Sequence, residues 1–268
     1  MSDLVTGQEH QGGNAAAITP RAVDMARGWS WITEAWALFA KQPVVWMLVI
    51  FLSFVISFIC AVVIIIGWIA ACLMAPVFVG GLMLGSRALQ RGENFEVSHL
   101  FAGFTTGTRE LLMLGAIVLV SMIACTIILT VVALVGGAGA AFASFTGDVE
   151  STFAAVMGFL VVFLVGTLIS LLVLIPVTMA LWFAPALIVF RGIAAADAMR
   201  LSFQACLRNI FPFLIYSLAA LAVFVVILIV PHMIPLIGSL AGFLLSLVFW
   251  SVIYASIYTG YRDIFADT

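Results

Sequence analysis

Glu93, Glu96 and Glu110 share one short stretch with His99 and with Arg87, Arg91 and Arg109. Carboxylates beside an imidazole are the raw material of a metal site or an acid–base pair. The plainer reading is a solvated loop whose charges neutralise one another, and that reading prevails. His232, between Pro231 and Pro235, is the only histidine next to a long apolar run. It could serve a serine hydrolase in principle, but the flanking prolines mark it as a polar turn residue. No HExxH pair occurs, and no paired aspartates or proton-relay residues fall inside the apolar runs. Gly80-Gly81 sits inside such a run and so cannot be a phosphate loop. The cysteines Cys60, Cys72, Cys125 and Cys206 form no CxxC and have no histidine nearby, which argues against zinc. They are expected to pack as small hydrophobes. No catalytic residue, metal or cofactor is therefore assigned, and the chain is expected not to be an enzyme.

The elements that would hold these residues follow from composition. Of 268 residues, 65% are apolar and only 8% charged, and the mean hydropathy is +1.31. Soluble domains run about 45–50% apolar and about 25% charged, so a soluble globular fold is excluded. The net charge of −2 offers no basic excess for nucleic acid. Residues 1–20 are polar and rich in Gly, Gln and Asn, and lack the pattern of a signal peptide. They read as a disordered cytoplasmic tail ahead of a single membrane domain, 21–268.

Four stretches carry no charge: 42–86, 111–147, 151–190 and 209–261. Each is longer than the roughly 20 residues that cross a ~30 Å hydrocarbon layer. The first divides at Gly67 into spans near 44–66 and 68–86. The last divides at Pro231–Pro235 into spans near 210–230 and 236–258. The third span, near 111–135, is expected to end in the cluster Gly136-Gly137-Ala138-Gly139, where helix is disfavoured. The fourth, 153–189, is expected to be one long helix kinked at Pro176 and Pro185. With six spans, all ten Lys and Arg fall on one side, and the opposite connections hold only Asp148, Glu150 and His232. The positive-inside rule then places both ends in the cytoplasm. The fold class is an all-α integral membrane protein with six transmembrane helices.

Three short amphipathic helices are predicted on the basic side. Their apolar faces would be Trp29, Ile32, Trp36 and Phe39; Val97, Phe101 and Phe104; and Ala196, Met199, Phe203 and Cys206. Each leads to a cation, Lys41, Arg109 or Arg208, suited to lipid headgroups. Helix, span, span would then repeat three times. Gly81 with Gly85, and Gly238 with Gly242, are small-xxx-small pairs for close helix packing, within the bundle or along a homo-oligomer seam. Tyr216, Tyr254, Tyr258 and Tyr261 would anchor at the interface or line a pocket.

Ala184-Pro185-Ala186-Leu187-Ile188-Val189-Phe190-Arg191-Gly192, then Ala198-Met199-Arg200-Leu201-Ser202-Phe203 and Arg208-Asn209, form a recognisable pattern. It resembles the membrane domain attached to some bacterial glycerophosphodiester phosphodiesterases. Arg27-Gly28-Trp29, His99-Leu100-Phe101-Ala102-Gly103-Phe104 and Tyr261-Arg262-Asp263-Ile264-Phe265 are similar to a family of uncharacterised proteobacterial six-span inner-membrane proteins. The resemblance implies a bacterial inner-membrane location and carries no activity, because the chain has no room for the soluble hydrolase domain. The expected function is a scaffold or accessory subunit. Its expected partners are membrane lipids, a protein in the inner membrane, or further copies of itself. The alternative is a carrier or flippase-like handler of lipid or another hydrophobic molecule.

Overall fold

Pro43 opens one long helix, and Gly192, in the left-handed conformation at φ 65°, closes a short one. Both residues sit where their backbone preferences place them. The structure is a computed structural model that describes residues 19–63, 65–145, 148–234 and 237–265. Among these the helices are α1 (Arg27–Phe39), α2 (Pro43–Val62), α3 (Ile66–Gln90), α4 (Ser98–Phe101), α5 (Thr108–Phe145), α6 (Val149–Trp182), α7 (Ala184–Arg191), α8 (Ala195–Arg208), α9 (Ile210–Ile229) and α10 (Gly238–Phe265). Single 3₁₀ turns follow α4 and α9, and there is no strand among the described residues. Six segments are long and apolar enough to cross a membrane, with α6 and α7 together making one of them. Helices are required there because lipid offers backbone amides no partner. The protein has an all-α membrane fold. Short helix, long helix, long helix recurs three times in the element order, with α4 reduced to four residues and α7 added before α8.

The chain forms two units. One comprises residues up to 115 together with 180 onward, and the other is 116–179. In the larger unit α1 packs against both α9 and α10. Its buried face is Gly28, Trp31, Ala35, Leu38 and Phe39. Trp29 and Trp36, expected on the apolar face that turns toward the headgroup layer, are 56% and 54% exposed. Helix α1 thus has two apolar flanks, one packed against α9 and α10 and one left outside. At Gly28 a Cβ would lie 2.0 Å from the Pro212 carbonyl oxygen, so only glycine permits this approach. Of the face of α8 expected toward the headgroup layer, only Cys206 is buried. Ala195, Ala198, Leu201, Ser202, Ala205 and Cys206 are buried, and Ala196 is exposed. In the 97–104 segment Leu100 is buried, whereas Phe101 and Phe104 are exposed.

Boundaries also differ. Gly67 is not the turn between the first two spans; it lies in the first turn of α3. A Cβ there would meet the Cys60 carbonyl at 1.7 Å, so the glycine serves close packing. The fourth span is interrupted beside Pro185, which stands in the first turn of α7. The break is at Phe183, whose N–H donates to Ser202 Oγ at 3.0 Å in a buried site. That bond replaces the helical partner lost there. Pro176 lies inside α6, which continues six residues beyond it to Trp182.

The second unit is a helical hairpin made of the inner parts of α5 and α6. The third span does not stop at Gly136; α5 runs on to Phe145. Phe159 covers Gly136, with its ring 2.4 Å from where a Cβ would be. Gly166 similarly lies under Val132, and Cys125 Sγ donates to the Ser170 carbonyl at 3.9 Å. Asp148 starts α6 by accepting from the N–H of Ser151 at 2.9 Å. That bond is the main cause holding its carboxyl below the usual range.

Candidate functional site

Arg27, Trp31 and Glu34 fall on one side of α1 at spacings of four and three residues. The same side meets the last turn of α10, which carries Arg262 and Asp263. Asp263 Oδ2 accepts from Arg27 Nε at 2.6 Å and from Trp31 Nε1 at 3.0 Å. Its Oδ1 accepts from Arg21 Nη2 at 3.1 Å. Arg21 also donates through Nε to the Asp263 carbonyl at 2.5 Å, and through its backbone N–H to Ile264 O at 3.0 Å. Glu34 accepts from Arg27 Nη2 at 2.9 Å and, in a short contact, from Arg262. The Asp263 side chain is only 10% exposed. Its hydrogen bond is the leading cause that holds the Arg27 guanidinium protonated beyond its ordinary range.

Asn209 extends this clasp. The residue is buried at the junction of α8 and α9. Its Oδ1 accepts from Val23 N–H at 2.8 Å, and its Nδ2 donates to the carbonyls of Arg21 (3.0 Å) and Ala205 (2.8 Å). Thr259 Oγ1 donates to the Trp31 carbonyl at 2.9 Å. Residues 20–34 are thus stapled to α8, α9 and α10. Chemically, each carboxylate is paired with two arginines, Asp263 also taking the Trp31 indole N–H, so the cluster fixes geometry. Sequence reasoning missed it. The signal was the opposite charges at the two ends of the membrane domain, Arg27 and Glu34 against Arg262 and Asp263.

The three expected headgroup cations, Lys41, Arg109 and Arg208, are all exposed, and two of them also meet a backbone carbonyl. Lys41 Nζ donates to the Leu89 carbonyl at 3.1 Å, near the end of α3. Arg208 donates to the Pro20 carbonyl at 2.9 Å. The Leu89 carbonyl is in the last turn of α3, whose negative end attracts such a cation; Pro20 precedes the first helix. Arg109 is exposed. The Glu/His stretch does not converge. Glu96 N–H donates to His99 Nδ1 at 3.1 Å, and Glu96 takes a second bond from Ser98 Oγ. Glu110 instead accepts from Ala195 N–H at 2.8 Å and caps α8. Arg87 stacks over the Phe190 ring at 4.2 Å. Among the described residues no group of three or more His, Cys, Asp or Glu is placed to hold a metal. The side chain of His232 lies outside the described residues, as do residues 1–18 of the expected tail. Burial pushes the Cys206 thiol up to about 12.

Gly81 and Gly85 are occupied within the chain. A Cβ on Gly81 would lie 2.3 Å from the His99 carbonyl, and one on Gly85 would lie 2.2 Å from the Phe95 ring. They bring the 95–100 segment, not a second long helix, onto α3. Gly238 and Gly242 are buried in α10. Three of the tyrosines are core residues instead of interfacial anchors. Tyr216 shares a 2.7 Å hydrogen bond with Ser256, Tyr258 is buried, and Tyr261 stacks on Phe265 and accepts from Arg191 Nε. Tyr254 lines a pocket with residues of α2 and α3. No protein-family model, curated protein or solved structure matches the chain.

Proposed function

We propose that the protein is a scaffold or accessory subunit of a bacterial inner membrane, with both chain ends in the cytoplasm. The observation that carries the reading is the hairpin of residues 116–179. Its arms, 116–145 and 149–179, are each about 45 Å long at 1.5 Å per residue. A ~30 Å hydrocarbon layer would hold that length only at a tilt of about 50°, beyond the roughly 0–40° that spanning helices adopt. Their surface is apolar well along that length: Val120, Leu134, Val135, Phe142, Phe145, Val149, Phe153 and Leu172 are all exposed. Apolar surface longer than the lipid that can cover it is best covered by apolar helices of a partner. The paired charges of the clasp support the same reading, since they serve the fold. The orientation rests on the ten cations, all of which lie in the larger unit.

Native mass spectrometry of the protein released gently from its membrane tests this. A partner at fixed stoichiometry is the expected result, and repeated recovery of the chain alone would sink the reading. The second reading, a handler of lipid or another hydrophobic molecule, is favoured by the pocket beside Tyr254.

A further inference from the structure

Within the larger unit, α2 and α3 leave a pocket of about 110 Å³ along their seam, with Tyr254 of α10 at its wall. Ser53, Ser57, Cys60, Ala75 and Phe78 line it. The lining is half-open: Ser57 and Ala75 are exposed, and Ser53, Cys60 and Phe78 are partly so. The pocket therefore opens to the side, where lipid lies against a spanning helix. Counted from the basic ends of the helices at about 1.5 Å per residue, Ile50, Leu82 and Tyr254 sit roughly 10–17 Å deep, and Cys60 and Ala71 roughly 25–29 Å. The lining follows α2 over ten residues from Ile50 to Cys60, roughly 15 Å. Its side opening lets a chain lie along the seam while only part of its width is enclosed.

Its polar groups are unequal. Ser53 Oγ donates to the Val49 carbonyl at 2.9 Å and Ser57 Oγ to the Ser53 carbonyl at 2.8 Å, so both are satisfied within α2. The Tyr254 hydroxyl has no hydrogen-bond partner among the described residues, and the ring contacts Trp250 alone among aromatics, at 6.1 Å between centroids. A phenol hydroxyl at this depth has no water to turn to and is costly unless an acceptor reaches it.

We infer that this pocket binds one acyl chain of a membrane glycerolipid, its ester carbonyl accepting from Tyr254 at the shallow end and its methylenes running past Ser53 and Ser57 to Cys60. A glycerolipid fits each feature: an acceptor just below headgroup depth, then an apolar chain one methylene wide. The site concerns occupancy and holds whether the protein is a scaffold or a carrier.

The test uses the full chain in nanodiscs containing phosphatidylglycerol with a diazirine midway along one acyl chain. After illumination, labelled residues are mapped by peptide mass spectrometry. Label at Ser57, Cys60, Met74 and Ala75 should exceed that at the exposed α9 positions Leu218 and Val226 by about fivefold or more. Ala75→Phe, which fills the mouth from an exposed position, should remove that excess and leave α9 labelling unchanged. Tyr254→Phe keeps the shape of the wall and deletes one hydroxyl; it should lower the excess about three- to tenfold, the loss of one hydrogen bond. Equal labelling of the pocket and α9, or an excess that survives both substitutions, would overturn the inference. So would an apolar molecule other than a glycerolipid recovered at one copy per chain and lost in Ala75→Phe. Should Ala75→Phe fail to fold, Tyr254→Phe still decides.

Discussion

The two units solve the packing problem in different ways. The larger holds every Lys and Arg of the chain and joins segments far apart in sequence: Arg21 meets Asp263 across 242 positions. The hairpin of 116–179 carries only Asp148 and Glu150 as charges, and its arms meet through small residues such as Gly136, Gly166 and Ser170. Long-range polar bonds and glycine-sized gaps specify one arrangement in the first. Helix length and apolarity hold the second, and lipid supplies no hydrophobic force to press its helices together. Specificity is thus concentrated in the charged unit.

The sharpest way to break this contrast is Asp263→Ala. It leaves Arg27, Arg21 and the Trp31 indole N–H without their shared acceptor. Removing one partner of a buried pair costs about 3–5 kcal/mol; Arg21 is more than half exposed, so about 2–4 kcal/mol is expected after solvent screening. Denaturant unfolding in detergent measures it, and hydrogen exchange should show residues 20–34 losing protection first. A loss below about 1 kcal/mol would mean the clasp is decorative.

Glycines give a matched comparison of opposite sign. Gly28→Ala drives a methyl against a backbone carbonyl 2.0 Å away, which cannot move as a side chain would. Overpacking of that kind costs about 1–3 kcal/mol. Gly137 in α5 has nothing within 4 Å of its Cβ position, so Gly137→Ala meets open space. It should stabilise α5 by about 0.5–1 kcal/mol, the helix propensity difference. The same unfolding assay reads both. Equal effects would show that the hairpin is as tightly constrained as the rest.

What could be read from sequence follows the same division. The six spans were legible because charge-free runs and the one-sided cations mark where lipid begins and ends. Their ends were less so. The Gly136 cluster signals a stop only in water; with Phe159 laid over it, α5 continues. The outer face of α1, with Trp29 and Trp36, was the legible one; its second face, Gly28, Trp31 and Ala35, was not, because it is defined only by the fit against α9 and α10. The clasp was illegible because no local pattern announces a pair separated by most of the chain. Lys41 and Arg208 were legible as cations at helix ends. The carbonyls they also meet depended on where Leu89 and Pro20 came to rest.

The smallest expected effect lies at the tip of the hairpin. Asp148 is fully exposed, and its carboxylate accepts from the Ser151 N–H at the start of α6. The folded state therefore holds this carboxyl below its ordinary value near 3.9. A depressed carboxyl contributes stability that is fully present above the unfolded pKa and is lost as pH falls through the folded one. Asp148→Asn keeps an acceptor at the cap but removes the charge and its titration. Amide exchange at Ser151 and Thr152 should thus be slower in the parent than in the variant, by a constant ratio from neutral pH down to about 5. Below about pH 4 that ratio should shrink toward one as the parent carboxyl protonates. A ratio independent of pH would show that the charge adds nothing to the cap, and the hairpin would then be held by apolar length alone.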